Sequence, residues 1–182
     1  HKAMRFVGPA RKQLGVRTVF NLLGPLTNPA GARTQLIGVY APDLTEVYAG
    51  VFKRLGSTHA LIVHGSDGMD EITVTGPSRC SELKNGLIRT YDIDPEPIFG
   101  GYAELGELAG GDAKENAGIA TGILTGKIRG AKRNVVLINA AGTLLAADLV
   151  PDLATGVKKA EESIDSGAAY EKLRRLVEIS NS

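Results

Sequence analysis

Two short apolar runs, Leu36–Tyr40 and Ala60–His64, constrain the fold of this chain more than any other feature of it. Neither alternates between apolar and polar residues, so each reads as a strand buried on both faces rather than one with a wet side. Between them, Asp43-Leu44-Thr45-Glu46 carries an Asp-x-x-Glu capping pattern that opens a helix ending near Gly56. Strand, helix and strand within about thirty residues make a βαβ unit, whose strands run parallel and whose crossover is right-handed. The expectation is an α/β fold with a mostly parallel sheet flanked by helices.

The stretch that follows adds a different element. Ile72-Thr73-Val74, Ser78 to Lys84 and Leu87 to Ile93 read as strands, the last two joined by Asn85-Gly86. That dipeptide tolerates positive φ at both positions and predicts a two-residue antiparallel hairpin. The remainder is helical. Asp112-Ala113-Lys114-Glu115 opens a helix that Gly126 closes, and Asn134 to Ala147 is apolar nearly all round and reads as buried. Pro151 and Asp152 begin a helix to about Ser166, and a last one from Ala168 to Ile179 turns Leu173, Leu176 and Val177 inward.

At the other end, Met4, Val7 and Leu14 space a helix with one buried stripe, which Gly8-Pro9 must kink or interrupt. Pro25, Asn28-Pro29 and Gly31 then form a dense turn cluster. The organisation expected is a helical segment and hinge over residues 1–30, belonging to a small helical domain, and an α/β domain over 31–182. Without an initiator Met or the apolar stretch of a signal peptide, the chain reads as part of a longer protein.

Charge narrows the function classes. Lys and Arg number 21 against 20 Asp and Glu, a net +1, and the basic residues are scattered, which argues against a dedicated nucleic-acid or membrane-surface protein. Cys80 is the only cysteine, so no intramolecular disulfide forms, in keeping with a reducing compartment such as the cytoplasm.

Gly65-Ser66-Asp67-Gly68-Met69-Asp70-Glu71 follows directly on the second buried strand, and ligands of open α/β sheets bind beyond the carboxyl ends of strands. Adjacent carboxylates at Asp70 and Glu71 suit Mg²⁺, which takes one or two of them together with substrate phosphates. The same residues also fit a solvated turn, since such pairs are common in loops. Gly110-Gly111-Asp112 precedes a helix, but Asp112 puts a carboxylate where a phosphate would sit and is better explained as an N-cap. Arg11 and Arg17 could clamp a carboxylate, though their pattern equally describes the wet face of an amphipathic helix. His59 and His64 flank a buried strand and read as packed or hydrogen-bonded, and Cys80 has no nearby histidine to make it a nucleophile.

His1-x-Ala3-Met4, then Val7, Pro9, Arg11, Leu14-Gly15-Val16-Arg17-Thr18 and the long run from Val19 to Ala30, VFNLLGPLTNPA, resemble the anthranilate phosphoribosyltransferase family. The likeness continues through Gly38-Val39-Tyr40, Val63-His64-Gly65, Gly68-Met69-Asp70-Glu71, Gly76-Pro77, Leu108 to Ala113 and Asn139-Ala140-Ala141. The resemblance implies the C-terminal portion of a homodimeric enzyme with a small helical and a larger α/β domain, similar to nucleoside phosphorylases in fold. It implies transfer of the phosphoribosyl group of phosphoribosyl pyrophosphate to anthranilate in tryptophan biosynthesis. It places Arg11 on the anthranilate carboxylate, His1 and Gly24 along the anthranilate path, and Asp70 and Glu71 on magnesium, with no catalytic nucleophile. The family's glycine-rich phosphate loop and its Lys-His-Gly-Asn segment are not in these residues, so the 182 residues alone are expected to lack transferase activity. The alternatives are a pyrimidine nucleoside phosphorylase-like enzyme and a non-catalytic, nucleic-acid-binding relative. The run VFNLLGPLTNPA disfavours the first, and the near-zero net charge with an intact acidic pair disfavours the second.

Overall fold

The computed structural model describes residues 4–15 and 23–182; within the first stretch the side chains of Met4, Val7, Ala10, Arg11 and Lys12 lie outside the description. The chain divides into two compact units, residues 1–32 and 33–182.

In the first unit, helix α1 (Met4–Leu14) runs through Pro9 without interruption. Proline removes one intrahelical hydrogen bond, and the turns on either side carry the helix across it. Leu14 is 61% exposed, so the stripe expected of this helix is not closed at that position. Pro25–Thr27 forms one 3-10 turn with Gly24 before it, and the Thr27 hydroxyl donates to the Leu23 carbonyl at 3.0 Å. The Asn28 side chain accepts from the Ala30 N–H at 3.0 Å, so the turn cluster is an ordered loop.

The second unit is built on a four-stranded sheet in the order β1 (Thr34–Gly38), β2 (His59–Gly65), β3 (Ser78–Lys84), β4 (Leu87–Ile93). β1 and β2 are parallel, with Leu36 opposite Leu61, and helix α2 (Leu44–Arg54) makes the crossover. The α/β class and the βαβ unit are as the sequence indicates. The sheet is mixed rather than mostly parallel, because the hairpin supplies β3 and β4 and β3 pairs antiparallel to β2. Asn85 at φ 50° and Gly86 at φ 78° make the hairpin turn.

Each face of β2 packs on helices. Register sets Ile62 beside Ser81 and Ser81 beside Thr90. The Ser81 hydroxyl donates to Thr45 of α2 at 2.9 Å, which marks this as the α2 face. Thr45, Tyr48, Ala49 and Phe52 are the buried residues of α2, at the spacing of one helical stripe. The opposite face carries Leu61, Val63 and Cys80, which join Ile72, Val74, Ile93 and Ile138 in one cluster. After the short helix α3 (Glu96–Phe99), three longer ones, α4 (Ala113–Leu124), α5 (Ala131–Ala146) and α6 (Leu153–Asp165), bury Ile123, Leu137, Ala141, Val157, Ala160 and Ile164 together. Their N-caps at Asp112 and Asp152 accept from the backbone of Glu115 at 2.8 Å and Thr155 at 2.7 Å.

Three further expectations are corrected. Asp43 precedes α2 but makes no side-chain cap: its own φ and ψ are helical, and the Thr45 hydroxyl instead donates to Pro42 O at 2.8 Å. Ile72–Val74 is not a strand, although all three residues are buried. The final helix, α7 (Ala168–Ser180), half-buries Leu173 but leaves Leu176 63% and Val177 52% exposed instead of turning them inward. Ala169, near its start, packs against the α4–α6 cluster, and residues 174–180 are exposed within this unit.

Candidate active site

The chain leaves β2 at Gly65 and returns to the sheet at Ser78. The Ser66 N–H donates to Pro77 O at 3.0 Å and closes the neck of the intervening loop. Gly65 N–H donates to Met69 O at 2.8 Å, and Gly68 N–H to Gly65 O at 2.9 Å, folding the tip back on itself. Gly68 sits at φ 93°, a conformation open to glycine and rarely to other residues.

Asp67 braces this turn from within. Its carboxylate accepts from the Thr73 hydroxyl at 2.6 Å, the Thr75 hydroxyl at 2.8 Å and the Met69 N–H at 3.0 Å. Burial works to raise the pKa of Asp67, but the hydrogen bonds from Thr73, Met69 and Thr75 together outweigh it and hold the carboxyl below its ordinary range. A lowered carboxyl pKa stabilises the fold above the unfolded-state value, and that contribution is lost as pH falls through the folded-state value. Asp67→Asn is therefore expected to cost about 1–3 kcal/mol near neutrality. Chemical denaturation of both proteins checks this, and the gap should narrow below about pH 4.

Beyond this brace, Asp70 and Glu71 stand exposed at the lip of a pocket lined by Leu36, Gly38, Val63, Asp70, Glu71 and Asn139. The pocket lies at the carboxyl-end part of the parallel pair β1–β2, between Leu36, Gly38 and Val63 and the loop beyond β2, near where α/β sheets bind ligands. Gly38 ends β1, and a Cβ built there would run into the Asp70 carbonyl, so the strand end and the acidic loop touch backbone to backbone. From α5, Asn139 accepts from Ile72 N–H at 3.0 Å and donates to Ile72 O at 2.8 Å. Partial burial, then the neighbouring Asp70 charge, push the Glu71 pKa up.

That electrostatic strain between adjacent acids is what a cation relieves. Among the described residues no group of three or more His, Cys, Asp or Glu side chains is placed to hold a metal. Asp70 and Glu71 thus offer two carboxylates and no closed cage. This donor set fits magnesium, which keeps waters and takes its remaining oxygens from phosphates.

Of the other candidates, Gly24 stands at the head of the Pro25–Thr27 turn, and the backbone of Arg11 lies in α1. His1 and the Arg11 side chain fall outside the described residues. His64 is half-buried and its Nδ1 pairs with Val39 O at 2.8 Å, while His59 is buried between Glu82 and Asp148, at 2.8 and 3.2 Å. Burial pushes the Cys80 thiol up to about 12, which removes it as a nucleophile at neutral pH. Gly111 is gripped by the Asn116 amide through two 2.9 Å hydrogen bonds beside the capping Asp112, and no phosphate cradle is left there. Asn139, Asp67 and Gly38 join the candidate site without being singled out for it by the sequence. Gly38 and Asn139 fall within the segments that carry the family resemblance, and an amide inside the apolar run of α5 needs partners, but neither signal assigns them to the site.

Residues 1–170 match the family model described as "Glycosyl transferase family, a/b domain". Among curated proteins, the anthranilate phosphoribosyltransferase of Desulfatibacillum aliphaticivorans is 52% identical over 179 residues, covering 98% of this chain and 53% of that protein. That of Moorella thermoacetica is 55% identical over 177 residues, covering 97% and 52%. The chain thus spans about half the length of the curated relatives it matches. Among solved structures, the anthranilate phosphoribosyltransferase of Thermus thermophilus superposes with a TM-score of 0.88 at 41% identity, over 100% of this chain and 54% of that one. The Saccharomyces cerevisiae protein in complex with PRPP and Mg does so with a TM-score of 0.85 at 33% identity, over 96% and 50%. The chain belongs to the glycosyl transferase family that carries this α/β domain, and its relatives at about half identity within that family are anthranilate phosphoribosyltransferases.

Proposed function

We propose that the protein carrying this chain transfers the phosphoribosyl group of phosphoribosyl pyrophosphate to anthranilate, releasing pyrophosphate, as a step of tryptophan biosynthesis. The observation that carries this reading is the 52% identity to an anthranilate phosphoribosyltransferase, sustained over 98% of the chain. The acidic pocket at the carboxyl-end part of β1 and β2 supports it with a chemistry suited to a pyrophosphate leaving group.

The bond from the anomeric carbon to pyrophosphate breaks, its electron pair leaving with the pyrophosphate, as the amine nitrogen of anthranilate bonds to that carbon and releases a proton to solvent. Magnesium held on the pyrophosphate supplies charge neutralisation to the leaving group. Asp70 and Glu71 hold that ion at the pocket lip, and Asp67 and Gly38 keep the loop where they can do so. Arg11 receives the anthranilate carboxylate through its planar fork and so aims the amine, with His1 and Gly24 along the path of the acceptor. Catalysis rests on positioning and electrostatics, and no side chain acts as nucleophile. The protein works as a homodimer in the cytoplasm. Among the described residues no helix is long and apolar enough to cross a membrane.

Anthranilate fluorescence should disappear, with pyrophosphate formed in equal amount, when the whole protein is given both substrates and Mg²⁺. Phosphorolysis of thymidine with no anthranilate-dependent transfer would overturn the reading in favour of a nucleoside phosphorylase. Arg11→Ala is expected to raise the KM for anthranilate roughly tenfold or more, the scale of a lost hydrogen-bonded charge pair, and to leave that for phosphoribosyl pyrophosphate nearly unchanged. Steady-state kinetics with each substrate varied in turn checks it, and equal effects on both would remove the clamp role.

A further inference from the structure

We infer that Asn139 is the positioning residue of the acidic pair, holding Glu71 and Asp70 at the pocket through a two-sided grip on the Ile72 peptide. This rests on the reading of Asp70 and Glu71 as the metal-holding pair. Asn139 is half-buried on α5, 67 residues further along the chain from Ile72. Its Oδ1 takes the Ile72 N–H at 3.0 Å and its Nδ2 donates to the Ile72 carbonyl at 2.8 Å, so one amide satisfies both polar groups of the residue next to Glu71. The second Nδ2 proton goes to Val135 O at 2.9 Å, one turn back in the same helix. Glu71 Oε2 lies 3.5 Å from that nitrogen, and both residues line the pocket.

A three-residue step along α5 brings Gly142 onto the same face. A Cβ there would come within 2.8 Å of Ile72 Cδ1, so the missing side chain lets the helix close on Ile72. Ile72 itself is fully buried and has no strand ladder to hold it. Its main-chain position is set by Asn139, and Glu71 inherits that position.

The test uses Mn²⁺ as the probe, bound to the whole protein saturated with pyrophosphate and followed by its paramagnetic resonance signal without turnover. In Asn139→Ser the hydroxyl can still bond Val135 O within the helix, but it is too short to reach Ile72. The substitution is expected to weaken Mn²⁺ binding roughly tenfold or more, the usual effect of removing a group that orients a metal ligand. In a background where Asp70→Asn and Glu71→Gln are combined the same change should add little, because both residues through which Asn139 acts are already gone. If Asn139→Ser lowers the melting temperature and leaves Mn²⁺ affinity unchanged, or if the two losses simply add, the inference is overturned. If Glu71→Gln alone has no effect on Mn²⁺, the metal reading falls and this inference with it. In the unmodified protein the Ile72 amide should exchange with solvent as slowly as those of β2, and exchange as fast as at Gly68 would also overturn it.

Discussion

Asp70→Asn combined with Glu71→Gln should reduce turnover of the whole protein by roughly 100-fold or more at ordinary magnesium concentrations, a loss of about 3 kcal/mol in the barrier. Both replacements are isosteric, and both side chains are exposed, so the fold has little reason to change. What changes is the charge at the pocket lip. Partial burial, and after it the neighbouring Asp70 charge, push the Glu71 carboxyl up, and a cation bound to the pair would favour its ionised form. Activity measured against magnesium concentration checks the assignment: the half-saturation point should move upward by an order of magnitude or more. An unchanged titration would remove the metal role from this pair.

Gly38→Ala is expected to be the most damaging substitution by size of group added. A single methyl at this strand end would occupy the space of the Asp70 carbonyl, which is backbone and cannot swing away as a side chain can. Either β1 or the acidic loop must move. Overpacking of this kind costs typically 1–3 kcal/mol and more where backbone is the obstacle, so about 3 kcal/mol is expected here. Denaturant unfolding measures the stability loss. Magnesium dependence of activity in the same variant tells whether the loop or the strand has given way. A loss of stability with the magnesium titration intact would place the movement in β1.

The parts of this fold that the sequence made legible are those whose residues determine their own geometry. Asn85-Gly86 can hardly be anything but a hairpin turn, since positive φ is required at both positions and these residues accept it. Ala60–Val63 is apolar without alternation, and burial between helices on both faces is the arrangement that suits it. Ile72–Val74 shows the opposite case. Its composition suits a strand, yet its backbone groups are met singly, by Asn139 at Ile72, by the Ser78 hydroxyl at Thr73 and by the Ala103 N–H at Val74. Partners outside the segment, from five to 67 residues along the chain, decide its backbone, and its own composition does not encode them. Leu176 and Val177 mark a further limit, because periodicity tells which residues share a helix face and not whether another layer covers it.

The site divides in the same way. Position after a buried strand pointed to Asp70 and Glu71 from the residues themselves. Arg11 rests on family resemblance, since a basic residue on an amphipathic helix carries no distinguishing pattern. Asp67 was visible as a turn residue only, and its link to Thr73 and Thr75 depends on how the loop folds back.

The loop from Gly65 to Ser78 is tied at its neck, braced by Asp67, pressed against Gly38 and gripped by Asn139. Its conformational entropy is therefore lost when the chain folds and not when a ligand arrives. A cation taken up by the acidic pair would bind with a small entropic penalty, its heat of binding reflecting dehydration and charge pairing. Loosening any one tie would transfer part of the ordering to the binding step, where calorimetry would register it as a more unfavourable entropy of binding.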